Sequence, residues 1–159
     1  MESKVKLSSF SLGLTVILTA MIFIAVTFFL WNHVEKGVIG AIILFFMLIS
    51  GFLFGPVSIA ANDENVIITS YLRRQQIDIS NIKSVELFQP AVLSIRIFGS
   101  GGYMGYWGIF RESIIGRYVA YYGKPSDCFL IIMKNGDKYV LGCEDPEKMV
   151  NYIKSKIIS

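Results

Sequence analysis

The chain has 159 residues, of which 53% are hydrophobic and 17% charged, with a formal net charge of +3. So small a basic excess excludes the clustered Lys/Arg footprint of a nucleic-acid binder, and the charged fraction is below the ~25% of ordinary soluble domains. The shortfall is local: residues 1–61 carry only Glu2, Lys4, Lys6, Glu35 and Lys36, whereas residues 62–159 have a soluble balance of charges.

No residue between Lys6 and His33 is charged, and none between Lys36 and Asp63. Each stretch exceeds the ~20 apolar residues that cross a hydrocarbon core. Predicted helices therefore run over about residues 12–31 and 37–55, with Asn32-His33-Val34-Glu35-Lys36 as the short outer loop. A cleaved signal peptide is disfavoured, because the first run is longer than about 7–15 residues and Phe28-Phe29-Leu30-Trp31 offers no small-residue cleavage site. Lys4 and Lys6 before the first span, and Arg73, Arg74 and Lys83 after the second, outweigh Lys36 between them. Basic flanks stay inside, so both termini are expected in the cytoplasm of a bacterial cytoplasmic-membrane protein. Trp31 then sits at the outer interface, where an indole buries its ring and keeps its N–H wet. The spans hold no acidic or basic side chain, which argues for an anchor rather than an ion or proton path. Gly51-Phe-Leu-Phe-Gly55 has the small-xxx-small spacing that lets two helices approach closely; the plainer reading is two glycines loosening the helix before Pro56.

From Pro56 onward the pattern changes to short strands. Val57–Ala61 and Val66–Leu72 flank the polar quartet Asn62-Asp63-Glu64-Asn65 and read as a hairpin. Gln75–Ile79 points Ile77 and Ile79 to one face, Ser84–Phe88 points Val85 and Leu87 inward, and Leu93, Ile95 and Ile97 make a further inward row opposite Ser94 and Arg96. Gly116–Tyr122 favours strand through Tyr118, Val119 and Tyr121, and Cys128–Met133 is apolar on both faces, as a central strand is. Asn135-Gly136 predicts a two-residue hairpin turn into Lys138–Leu141. Asp145, Pro146 and Glu147 start a closing helix whose inner face is Met149, Val150, Ile153 and Ile157, with Lys148, Lys154 and Lys156 off that stripe.

The expected organisation is residues 1–56 as a tail and two transmembrane helices, and residues 57–159 as a cytoplasmic β-rich α+β domain. About seven short antiparallel strands with a C-terminal helix suggest a small barrel or sandwich plugged by the helix. Ile79–Leu87, Gly99–Phe110, Asn135–Leu141 and Asp145–Lys148 carry a resemblance to the pleckstrin-homology fold, and more narrowly to bacterial PH-like domains that follow a two-helix membrane hairpin. That resemblance implies a binding module and transfers no catalytic residue. Eukaryotic members often hold inositol phosphates with Lys and Arg around the first hairpin; here that turn is the acidic Asn62-Asp63-Glu64-Asn65, so phosphoinositide binding is not expected.

Three features are candidates for chemistry or contact. The glycine-rich run Gly99–Gly108 lacks a third glycine for a dinucleotide loop, Met104 standing there, and lacks the Lys and hydroxyl residue of a phosphate loop. As a flexible loop holding Tyr103, Met104, Tyr106 and Trp107 it either folds into the core or presents those aromatics to membrane or partner, beside Arg96, Arg111 and Arg117. An unbulged turn at Asn135-Gly136 pairs Cys128 with Cys143 across the strands, about 5.5 Å apart at Cα. That spacing permits a disulfide, although a cytoplasmic domain keeps such thiols reduced. His33, the single histidine, has only Glu35 beside it and falls short of a three-ligand zinc site. No nucleophile–base pair or metal-ligand set is apparent, so neither enzyme activity nor cofactor or metal is expected. The sequence-based reading is a membrane-anchored adaptor or assembly factor at the cytoplasmic face, engaging the bilayer and a membrane-protein partner or a second copy. The alternative is a lipid- or ligand-sensing regulatory subunit of a membrane complex.

Overall fold

A computed structural model describes residues 1–31, 35–91 and 94–157. The expected loop residues Asn32–Val34, His33 among them, and Leu93 of the expected inward row lie outside the described residues. The chain begins with strand β1 (Glu2–Lys4), enters helices α1 (Ser9–Trp31) and α2 (Glu35–Phe54), and then builds the β-domain. Ser8 caps α1: its carbonyl accepts from Leu12 N–H at 2.9 Å and its hydroxyl from Ser11 N–H at 3.0 Å. Gly37 gives the close approach between the helices, because a Cβ there would fall on the ring of Phe29. At the far end Gly55 N–H closes the last turn on Gly51 carbonyl, and Pro56, which has no N–H to offer, opens a strand.

Two sheets follow. The first has the order β1-β2-β3-β4, with β2 Pro56–Ala61, β3 Asn65–Ser70 and β4 Arg74–Asp78. A single turn of 3-10 helix over Ile79–Asn81 leads into the second, whose order is β5-β9-β10-β8-β7-β6. Its strands are β5 Ile82–Leu87, β6 Ile95–Gly102, β7 Gly105–Glu112, β8 Gly116–Tyr122, β9 Cys128–Met133 and β10 Lys138–Gly142. Helix α3 (Pro146–Ile157) closes the described chain. The β-rich α+β domain with a C-terminal helix is as expected, but the sheets do not close into a barrel, and about seven antiparallel strands become ten described strands in two sheets, with β8 and β10 paired in parallel.

The main core lies between the sheets and α3: Ile59, Val66 and Ile68 from the first sheet meet Phe129, Ile131 and Leu141 from the second, and Met149, Val150 and Ile153 from the helix. The other face of the second sheet carries a smaller cluster of Phe110, Tyr118, Ala120, Tyr122, Cys128, Leu130 and Val140. Strand β9 feeds both, which is why it is apolar on both faces.

Four further expectations are corrected. Residues read as an N-terminal tail form β1, antiparallel to β2, and Val5 N–H continues the pairing to Val57 carbonyl at 2.9 Å. Leu87, Ile95 and Ile97 are exposed rather than inward: they lie on β5 and β6, the two edge strands of the second sheet, and on β5 it is Ile82 and Val85 that turn into the main core. The Asn135-Gly136 turn spans three residues, not two. Only Gly136 takes positive φ (+91°), whereas the two-residue turn needs it at both positions. The register moves by one accordingly, setting Cys128 opposite Gly142 instead of Cys143. Lastly, the glycine-rich run is not a loop: Gly99–Gly108 belongs to the β6–β7 hairpin. Gly99 and Gly108 face each other with φ of +109° and +117°, and a Cβ on either would collide with the carbonyl of Trp107 or Phe98.

Candidate functional site

The β6–β7 hairpin has two ends with different surroundings. Its tip, between the paired Gly102 and Gly105, turns through Tyr103 and Met104 and enters the angle between α1 and α2. Gly51 leaves the space that the Tyr103 ring occupies, and the Tyr103 hydroxyl donates to Leu48 carbonyl at 3.4 Å. Met104 N–H donates to Thr15 Oγ1 at 2.9 Å, and that hydroxyl donates in turn to Ser11 carbonyl at 2.6 Å. A Cβ on Gly55 would stand 2.8 Å from the Met104 carbonyl. Trp107 approaches Phe54 with ring centroids 5.7 Å apart, and its indole N–H is buried without a hydrogen-bond acceptor among the described residues. Thus Gly51 and Gly55, read either as a seat for a helix or as two glycines loosening the helix before Pro56, stand against the hairpin tip, while Gly37 serves the helix–helix contact.

The other end of the hairpin is open. Ile95, Ile97 and Phe98 are 67%, 55% and 69% exposed, on an edge strand whose outer backbone has no described partner. Arg96 is exposed between them. Arg111 and Arg117 stand directly opposite each other on β7 and β8, an unfavourable like-charge pair that an anionic partner would relieve. None of these three arginines forms a salt bridge among the described residues. Tyr106 is turned inward and stacks on Tyr122, centroids 4.7 Å apart. Beside it lies a cleft of about 780 Å³, walled by Phe10, Ser94, Arg96, Tyr106, Phe110 and Tyr122.

The remaining candidates are sheltered. Cys128 sits in the smaller cluster and Cys143 in the main core, both as buried free thiols. Burial pushes the Cys128 thiol well up, with Asp127 and Cys143 adding to it, and burial raises Cys143 too. The Cys128 thiol donates to Lys124 carbonyl at 3.3 Å. Thiols held neutral in this way are poor nucleophiles. Burial likewise raises Tyr118 and Tyr122. In the first hairpin turn Asp63 is not free for a cation: it pairs with Lys156 of α3 at 2.7 Å and accepts from the Tyr152 hydroxyl at 3.2 Å. The hydrogen bond from Lys156 holds the Asp63 carboxyl below its ordinary range and raises Lys156 reciprocally.

What sequence reasoning missed is the N-terminal strand and the seat of the hairpin tip. Ser8-Ser9 before the apolar run was a readable helix start. Nothing in the local pattern joins Tyr103 to Gly51.

Compared with known families, residues 57–157, more than half of the chain, match the model described as Bacterial PH domain. No curated protein and no solved structure gives a significant match.

Proposed function

The chain belongs to the bacterial PH domain family, and on that premise we propose that it is a membrane-anchored binding module, an adaptor or assembly factor at the cytoplasmic face. Helix α1 is long and apolar enough to cross a membrane, and Ile39–Phe54 is a shorter apolar helix beside it. Phe23, Ile24, Phe28, Ile39, Phe46 and Met47 all lie outward and exposed, which in water would be a large unfavourable apolar surface. Strand β1 precedes α1, strand β2 follows α2, and the two are paired. The helical pair therefore starts and finishes on one side, and the basic flanks favour the cytoplasmic side.

The observation that carries the binding role is the exposed edge strand β6, with Ile95, Ile97 and Phe98 beside Arg96, Arg111 and Arg117, which have no salt bridge among the described residues. An open edge supplies backbone donors and acceptors for an added strand, apolar side chains supply affinity, and the arginines select an acidic partner. Ile97→Asp with Phe98→Asp should abolish stoichiometric co-purification of a membrane-protein partner in mild detergent, or the dimer if the partner is a second copy. Unchanged association in the folded double variant would refute this surface.

A second reading, a lipid- or ligand-sensing subunit, draws on the cleft between Phe10 of α1 and the aromatic face of β7 and β8, where Arg96 supplies a cation. Anionic lipid retained through purification, and lost in Arg96→Gln, would favour it over the adaptor.

A further inference from the structure

The turn between β3 and β4, Tyr71-Leu72-Arg73, with Arg74 opening β4, is clasped to the final turn of α2. Leu72 N–H donates to Leu53 carbonyl at 3.1 Å, and Ser70 Oγ donates to Phe54 carbonyl at 3.1 Å. Both acceptors are carbonyls that a helix leaves unpaired at its C-terminus. Ser70 N–H to Arg73 carbonyl, 2.8 Å, closes the turn itself. Tyr71 stacks on Phe52 with centroids 4.8 Å apart and planes 11° from parallel. The turn is therefore fixed in place at the end of an apolar helix. Even so, Tyr71 and Leu72 remain 62% and 61% exposed. Arg73 and Arg74 are exposed as well and have no salt bridge among the described residues.

We propose that this turn is a bilayer-seating site: Tyr71 and Leu72 enter the interfacial layer while Arg73 and Arg74 bind the phosphates of anionic phospholipids. The inference rests on the membrane reading of α1 and α2 given above. If α2 ends at the cytoplasmic interface, a turn hydrogen-bonded to its last residues lies at headgroup depth. There an aromatic ring and an aliphatic side chain are favourable, and two exposed guanidinium groups without a salt bridge among the described residues are available to phosphate oxygens. This places lipid recognition on the opposite side of β3 from the Asn62–Asn65 turn, where Asp63 is already bound to Lys156.

The test uses the full chain in vesicles of phosphatidylcholine, with or without phosphatidylglycerol, carrying an environment-sensitive fluorophore on Leu72→Cys. The native thiols are buried, so the unsubstituted protein should take up no label. A Phe23→Cys label serves as the marker of helix insertion. The expected result is quenching of the Leu72 label by spin-labelled lipid, stronger with phosphatidylglycerol. Removing each charge, in Arg73→Gln and Arg74→Gln, should weaken seating on the order of fivefold and cancel the headgroup dependence. A Leu72 label that stays in water while the Phe23 label is quenched overturns the seating site and leaves the anchor standing. Failure of both labels to quench overturns the anchor and this inference with it. Quenching at Leu72 that is indifferent to headgroup charge and to both arginines overturns the phosphate site.

Discussion

At Gly51 a single methyl group decides whether the hairpin tip fits, because the Cβ would fall on the Tyr103 ring in a closely packed joint. Gly51→Ala should therefore destabilise the protein by about 1–3 kcal/mol, as overpacking generally does, read as a lower thermal midpoint in detergent. Gly13→Ala is the matched control, since nothing lies within 4 Å of its Cβ position. Equal effects of the two would mean that the tip is not seated on Gly51. The spacing of Gly51 and Gly55 raised close approach of a helix as one of two readings, and nothing in it pointed to the hairpin tip. Tyr103 lies far along the chain and meets Gly51 only once both the helices and the hairpin have formed. The thiols illustrate the opposite case, where local reasoning was specific and a one-residue register change undid it. Because burial raises the Cys128 and Cys143 thiols above their ordinary 9.0, their contribution to stability is complete below that pH and is lost as pH rises through the folded values. Folded protein should resist a thiol reagent near neutrality, react fully once unfolded, and lose stability on the alkaline side. Rapid labelling of native protein would contradict the sheltered geometry.

Among the elements, β1 is the one whose removal is most informative. It pairs with β2, supplies Lys4 carbonyl to Glu144 N–H at 3.0 Å, and leads to Val5 against the main core. Several backbone hydrogen bonds at about 1 kcal/mol each and part of a buried valine are at stake. Deleting residues 1–7 should cost about 3 kcal/mol or more, seen as faster proteolysis of the β-domain and a lower urea midpoint. An unchanged midpoint would restore the view that the domain starts at residue 57. Three residues with alternating burial are too short to announce a strand, so β1 was invisible to periodicity. The central strands β8 and β9 were legible to the residue because each carries a sustained β-favouring run. The β6–β7 hairpin hid behind its glycines, whose value lies in facing one another across strands. The Asp63–Lys156 pair joins the first hairpin turn to α3 on the surface. Its carboxyl is held below the ordinary 3.8, so its contribution is present above that pH and fades as pH falls through the lowered value. Asp63→Asn should differ slightly from the parent at neutral pH, in urea unfolding, and not at all once both are acid-titrated. A difference that persisted in acid would remove the ion pair as its cause.

At the scale of the molecule, the helices and the β-domain are locked by interlaced contacts: the β1–β2 pairing below, the hairpin tip between the helices, and the β3–β4 turn on the end of α2. On the proposed function, such a joint would hold the exposed edge at a fixed height and orientation relative to lipid, raising its effective concentration toward partners confined to the same surface. The two apolar runs were the plainest feature of the sequence, and they fall on one helix long and apolar enough to cross a membrane and a shorter apolar helix beside it. The exposed edge was not legible, since exposure of Ile95, Ile97 and Phe98 depends on which strand ends the sheet. The most direct measurement is cysteine accessibility in intact cells with a membrane-impermeant reagent. The probes are Trp31→Cys at the far end of α1 and Ser126→Cys on the exposed surface of the β-domain. The account predicts labelling of position 31 from outside, and of position 126 only after the cells are broken. Labelling of position 126 in intact cells, or release of the whole chain from membranes by alkaline carbonate, would contradict it.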